Sequence, residues 1–209
     1  MRTKKDYKFD SCLMTLGNVR RWGSYPLLKS ESDADHEVQM VALALINLPK
    51  VNKERLARNL PLIDIKEVVY RCVIHDLDEC TNGCGDIPRP IKHYDEKINH
   101  EINRVMKALL SKELEPELVD EILNAKNNCI EGTWVSILDL IQAGCKILTE
   151  KQLGNSIFAK EIKGNIYYLS ELKKDLIDDE FIVEREFIDE FINYVTLNYE
   201  ENLNPSTPS

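Results

Sequence analysis

No stretch of this 209-residue chain approaches the ~18 uninterrupted apolar residues of a membrane span. The opening MRTKKDYKFD is basic but has no apolar core of the kind a secretion signal carries, which predicts a cytoplasmic protein, or a host-cytoplasmic one if the source is a virus. A basic excess is also missing: 27 Lys and Arg stand against 36 Asp and Glu, a formal charge of −9. That balance argues against a nucleic-acid-binding surface. It also means that any phosphate-bearing ligand must be held by a local basic pocket, against the repulsion of the whole. Glycine and proline are scarce, eight of each, in a chain rich in Leu, Ile, Glu and Lys, so helices are favoured over a sandwich of short strands. There is no internal repeat, and the only low-complexity segment is the terminal NLNPSTPS. The six cysteines, Cys12, Cys72, Cys80, Cys84, Cys129 and Cys145, lie in apolar segments and read as reduced, mostly buried thiols.

What is present is helical periodicity. With 43% hydrophobic residues the chain can bury a core. A first helix is predicted over residues 11–21. A second is capped at Ser32 or Asp33, carries Val38, Val41, Ala42, Leu45 and Leu48 on its apolar face, and stops at Pro49. A short helix follows over 53–59. Asp64 to Glu67 has the form of a capping box, opening an almost wholly apolar helix, Val68 to Ile74, that should be central and buried. Further helices are predicted near 94–112, 116–129, 133–150 and 169–198, with a loop over 155–165. The expectation is an all-α bundle of about seven helices in one domain, residues 1–200, followed by a flexible tail, 201–209.

The chemically unusual segment begins where the apolar helix runs into His75-Asp76-Leu77-Asp78-Glu79 and then a loop rich in glycine and proline. Unpaired buried charge costs several kcal/mol, on the order of 3–5 when a partner is lost, so packing alone would not select these residues. One reading is a divalent metal site: His75 and Asp76 are about 100° apart round a helix and can converge on one ion, with Glu79 one turn on. The other is a satisfied core histidine followed by a solvated helix end. A dipeptide supplies too few ligands. His36, at the start of the second helix, is the best further candidate, though alone it is equally a surface histidine; His93 and His100 read as surface residues. Asp139 interrupts an apolar helix, which by itself fits a solvated edge. Cys80 and Cys84 lack the second Cys/His pair that a structural zinc site needs.

The ordered set Arg21-Trp22, Glu31 to His36, His75-Asp76, Glu79, Gly85-Asp86-Ile87-Pro88-Arg89-Pro90-Ile91-Lys92 and Asp139 resembles the HD-domain metal phosphohydrolases, and within them the bacterial 5′-deoxynucleotidase family. The resemblance spans roughly residues 11–155. The loop from Asp76 to Asp86 is two residues longer than the family pattern, around Thr81 to Cys84, which leaves the placement of Asp86 open. The resemblance implies that His36, His75, Asp76 and Asp139 hold a divalent metal (Co, Mn, Mg, Ni or Zn). Two imidazoles and two carboxylates would neutralise such an ion. It further implies Glu79 as general acid/base, with Asp86 sharing that role or holding the sugar 3′-hydroxyl. Arg21 and Lys92 would bind phosphate, Trp22 would pack on the sugar, and Pro90 would lie against the base. The Arg21-Trp22 pair can equally be a snorkelling arginine beside a core tryptophan. The implied activity is hydrolysis of deoxynucleoside 5′-monophosphates by at least a homodimer. The alternatives are a dATP-type triphosphohydrolase, with Arg20, Lys29 and Arg89 as further cations, and a non-catalytic nucleotide-binding module. A small-molecule deoxynucleotide is the expected partner, not a nucleic acid or a membrane.

Overall fold

The computed structural model describes residues 11–81, 95–127 and 129–201. Among them are seven α-helices: α1 (Asp33–Ala57), α2 (Ile65–Ile74), α3 (Glu96–Leu110), α4 (Pro116–Leu123), α5 (Ile130–Gln152), α6 (Ile162–Asp175) and α7 (Ile182–Glu201). Short 3-10 turns cover Cys12–Asn18, Leu77–Cys80, Phe158–Glu161 and Asp179–Phe181. The only strand-like pairing among the described residues is an isolated antiparallel bridge between Arg20 and Ser32. The all-α expectation therefore holds, with about the expected number of helices. None of the described helices is long and apolar enough to cross a membrane. The 201–209 tail lies almost wholly outside the described residues.

The helix starts follow capping chemistry. Ser32 accepts from the Asp35 amide while Asp35 reaches back to the Ser32 amide, a complete capping box. Asp64 caps α2 by accepting from the Lys66 and Glu67 amides, and Pro116 occupies the first turn of α4, where its missing N–H costs nothing. Pro49 does not end α1. It is exposed, so the bond it cannot make faces water, and α1 absorbs the segment predicted as a separate helix. The long C-terminal helix is instead two, α6 and α7, with buried Leu176 at the break and Arg185 donating to the carbonyls of Leu176 and Asp178 across it. The predicted loop over 155–165 already contains a 3-10 turn and the start of α6.

Two faces differ from the periodicity reading. In α1 the buried stripe is His36, Met40, Ala44, Leu48, Val51 and Arg55, whereas Val38, Ala42 and Leu45 face solvent. Of the apolar residues read as this face, Leu48 is buried and Val41 packs partly buried against the core, and the inward stripe also takes in a histidine and an arginine that apolarity does not select. In α2, Val68, Cys72 and Ile74 are buried but Tyr70 and Val73 are exposed, so it is amphipathic. Of the described cysteines only Cys72 is buried, and none is disulfide-bonded.

α5 is the central element, with Trp134, Ile137 and Leu138 fully buried between α1, α2, α6 and α7. Each such side chain contributes roughly 1.5–3 kcal/mol on burial. Arg55 of α1 is enclosed in the same core. Its Nη1 donates to Glu184 Oε1 at 2.7 Å and to the Glu180 carbonyl at 3.0 Å, its Nε donates to the Pro61 carbonyl at 2.6 Å, and Trp134 Nε1 also donates to Glu184 Oε1 at 3.0 Å. Breaking this pair from one side strands a buried charge. Glu184→Ala should therefore destabilise the fold by about 3–5 kcal/mol in urea unfolding.

Candidate metal centre and active site

The site forms where the N-terminus of α1, the C-terminus of α2 and the first half of α5 meet. His36 leaves the first turn of α1, and His75 caps the end of α2. His75 Nδ1 lies 2.8 Å from the Cys72 carbonyl, the group a continuing helix would offer to the amide of residue 76. The side chain thus competes with the next helical bond, and the chain tightens into the 3-10 turn Leu77–Cys80. Asp76 and Glu79 follow on that turn, joined by a Glu79 N–H to Asp76 carbonyl bond of 3.0 Å, rather than on a further α-turn. Asp139 projects from α5.

His36, His75 and Asp76 present ligand atoms all within 4.8 Å of one another. His75 Nε2 is 3.0 Å and His36 Nε2 is 3.8 Å from Asp76 Oδ2, and His36 Nε2 is 3.3 Å from Asp139 Oδ1. The hydrogen bonds assign the tautomers. His36 Nδ1 lies 2.6 Å from the Gln142 amide oxygen, and His75 Nδ1 faces a backbone carbonyl, so both Nδ1 atoms carry the proton and both Nε2 atoms the lone pair. Both Nε2 atoms are buried with no hydrogen-bond partner among the described residues. Two imidazole lone pairs directed at carboxylates form a donor set that fits a divalent cation. Burial holds the His75 imidazole below its ordinary pKa despite the pull of Asp76, favouring the neutral ligand form. Burial acts to raise the Asp76 carboxyl, but the positive charges of Lys126 and Arg21 oppose it, and the group stays ionised well below the usual range.

Two cations flank the carboxylates. Arg21 Nη1 donates to Asp76 Oδ2 at 2.8 Å and lies 3.6 Å from Asp33 Oδ1, while its Nη2 is 3.6 Å from Asp139 Oδ1. Lys126 Nζ donates to Asp139 Oδ2 at 2.8 Å and lies 3.9 Å from Asp76 Oδ1. Arg20, the competing arginine, is exposed. Glu79 is buried, three residues after Asp76 on the same 3-10 turn. Burial, reinforced by Asp76 and Asp33, pushes the Glu37 carboxyl up to about 8, so it stays protonated near neutral pH. His100 is exposed, as expected. Asp86, Pro90, Lys92, His93 and Cys84 lie outside the described residues.

Trp22 adopts a left-handed backbone, φ 59°, which costs a non-glycine residue roughly 1–2 kcal/mol. The surroundings over-determine it: its Nε1 donates to Glu31 Oε2 at 3.2 Å, and its ring packs edge-on to Phe158 at 5.0 Å and Tyr25 at 6.1 Å. Glu31 Oε1 in turn accepts from Gln142 Nε2 at 2.8 Å, and Gln142 holds His36. A buried relay thus joins Trp22 to a candidate metal ligand.

Sequence reasoning missed Gln142 and Lys126. For Gln142 a signal existed: Asp139, Gln142, Lys146 and Glu150 recur at helical spacing through an otherwise apolar helix. The last two continue the seam. Lys146 donates to the Lys29 carbonyl and to Glu150, while Glu150 accepts from the Leu28 and Lys29 amides at 2.8 Å each and from Asn155. The seam ties the 19–33 segment, and with it Arg21 and Trp22, to α5.

The buried His and His-Asp ligand set on a helical bundle defines an HD-domain phosphohydrolase. The family profile described as 5′-deoxynucleotidase YfbR-like matches residues 8–194, and the chain belongs to that family. A 5′-deoxynucleotidase of Erwinia tasmaniensis is 29% identical over 160 residues, 72% of this chain and 76% of that protein. An HD-domain phosphohydrolase from Listeria innocua shares the fold with a TM-score of 0.61 at 19% identity, over 89% of this chain and 95% of its own. So does the HD phosphohydrolase of cyanophage S-2L, bound to dA and one catalytic Zn2+ ion, with a TM-score of 0.56 at 15% identity over 94% and 99%.

Two predictions follow from the seam. Gln142→Leu frees the His36 ring and should weaken divalent-metal affinity about 10- to 100-fold by calorimetry, with the fold retained. Burial alone would raise the Glu150 carboxyl, but hydrogen bonds from Asn155, the Leu28 and Lys29 amides and Lys146 lower it to about 2, from 4.5. Its contribution to stability is complete above pH ~4.5 and disappears as the pH falls towards ~2. Glu150→Gln should therefore flatten the melting-temperature profile across that window.

Proposed function

We propose that this chain hydrolyses deoxynucleoside 5′-monophosphates to deoxynucleoside and phosphate, using a divalent cation held by His36, His75, Asp76 and Asp139. The observation that carries the reading is the pair of buried Nε2 lone pairs aimed at the Asp76 and Asp139 carboxylates. Family membership and the 5′-deoxynucleotidase name of the Erwinia relative support the substrate class.

Bound there, the cation supplies Lewis-acid chemistry, making an attacking water more acidic and drawing charge from the phosphoryl oxygens. Glu79, one tight turn from Asp76, accepts the proton of the attacking water or returns one to the departing 5′-oxygen as the P–O bond breaks. Arg21 forks onto phosphate oxygens in line with its two-nitrogen reach across the carboxylate pair. Trp22, locked by Glu31 and Phe158, is a rigid wall for the sugar that disfavours an added 2′-hydroxyl. Asp86 holds the 3′-hydroxyl or shares the proton work, Pro90 lies against the base, and Lys92 adds positive charge. The same reading carries assembly into at least a homodimer, which sedimentation measures.

Asp76→Ala should abolish both metal binding and turnover. Glu79→Ala should keep the metal while lowering kcat about 10²- to 10⁴-fold, as measured by calorimetry and phosphate release. Normal turnover by Glu79→Ala removes Glu79 from the mechanism. Deoxy- and ribonucleotides, as mono- and triphosphates, with Co, Mn, Mg, Ni and Zn decide the substrate. Free phosphate from dAMP upholds the reaction, tripolyphosphate from dATP replaces it with triphosphate hydrolysis, and binding with no product leaves a nucleotide-binding module.

A further inference from the structure

We propose that Lys126 is a phosphate-contacting residue of this site, a second cation that closes on the phosphoryl group from the other edge of the carboxylate pair to Arg21. The inference rests on the reading of the site as a metal-dependent phosphohydrolase.

Three features build the position of Lys126. Arg71 of α2, held by Glu67 Oε1 at 2.6 Å, donates through Nη1 to the carbonyls of Asn124, Ala125 and Asn127 at 3.2–3.4 Å, which clamps the loop on both sides of Lys126. On the α5 side, a Cβ at Gly132 would stand 2.7 Å from the Asn127 carbonyl oxygen and 2.9 Å from the Lys126 carbonyl carbon. Only glycine lets this loop approach so closely. The side chain then reaches Asp139 and Asp76, yet remains one-third exposed, so its ammonium borders both the acids and solvent.

The charge arithmetic separates Lys126 from Arg21. Arg21 has a third carboxylate, Asp33 at 3.6 Å. The ion pairs of Lys126 among the described residues are with Asp76 and Asp139 alone. Those are the two carboxylates that a divalent cation with two neutral imidazoles would neutralise. The Lys126 charge is then left to act on an incoming anion, and supplies the local positive potential that a chain of formal charge −9 requires. Lysine suits this role as a mobile point charge able to follow the phosphoryl group.

The test compares wild type, Lys126→Met and Lys126→Arg, each loaded with Mn2+, by calorimetric titration with orthophosphate and by dAMP turnover. Lys126→Met should weaken orthophosphate binding about tenfold or more, the scale of a lost charge-assisted hydrogen bond, and raise KM more than it lowers kcat. Its Mn2+ affinity should be unchanged or tighter, because a competing ammonium is gone, and Lys126→Arg should restore most of the phosphate affinity. Wild-type phosphate affinity in Lys126→Met overturns the proposal. So does loss of Mn2+ binding together with phosphate binding, which marks a purely structural lysine, and so does a wild type that binds no orthophosphate. If wild type turns over no deoxynucleotide yet binds orthophosphate through Lys126, the proposed reaction falls while the assignment of Lys126 stands.

Discussion

The burial of two carboxylates, Asp76 and Asp139, is the constraint around which the molecule is arranged. Each would cost several kcal/mol if left alone in a helical core, on the order of 3–5 for a stranded charge. Here they are surrounded by Arg21, Lys126 and two imidazoles drawn from four separate places in the chain. α1, α2 and α5 must pack so that these groups meet. The aliphatic core supplies the driving force for that packing, and the charges restrict which packing is tolerated.

α5 reconciles the two demands. Most of its circumference is apolar and buried, yet Asp139, Gln142, Lys146 and Glu150 form a polar seam along one side. Every member has partners in the 19–33 segment or in α1, so the seam converts an irregular stretch of chain into a fixed wall of the site. Its upper part links function directly to position: Trp22, strained at φ 59°, bonds to Glu31, which bonds to Gln142, which orients His36. A displacement of Trp22 is therefore felt at a candidate metal ligand.

Much of this was legible from residues alone. His75-Asp76 at the end of an apolar helix signalled buried chemistry, Ser32 and Asp64 marked helix starts, and Pro116 marked another. The errors have physical causes. Pro49 stays within α1 because its lost hydrogen bond faces water, and α1 turns inward a stripe that joins His36 and Arg55 to Leu48, while Val38, Ala42 and Leu45 of the expected face are exposed. Lys126 carries no signal in the sequence, since nothing local distinguishes a residue positioned by Arg71 from one helix and Gly132 from another. Gln142 carried a periodic signal, but one that shows only when the polar residues of a buried helix are counted as a stripe.

The composition and periodicity of this chain settled that it is helical, and local chemistry settled where several helices begin and singled out the His75-Asp76 dipeptide as unusual. These are properties of neighbours within one or two turns, so the order of residues suffices to specify them. The convergence of His36, His75, Asp76 and Asp139, the choice of Arg21 over Arg20, and the approach of Lys126 were decided by packing alone. Each depends on contacts between groups tens of residues apart, whose distances follow from how whole helices bury their faces against one another.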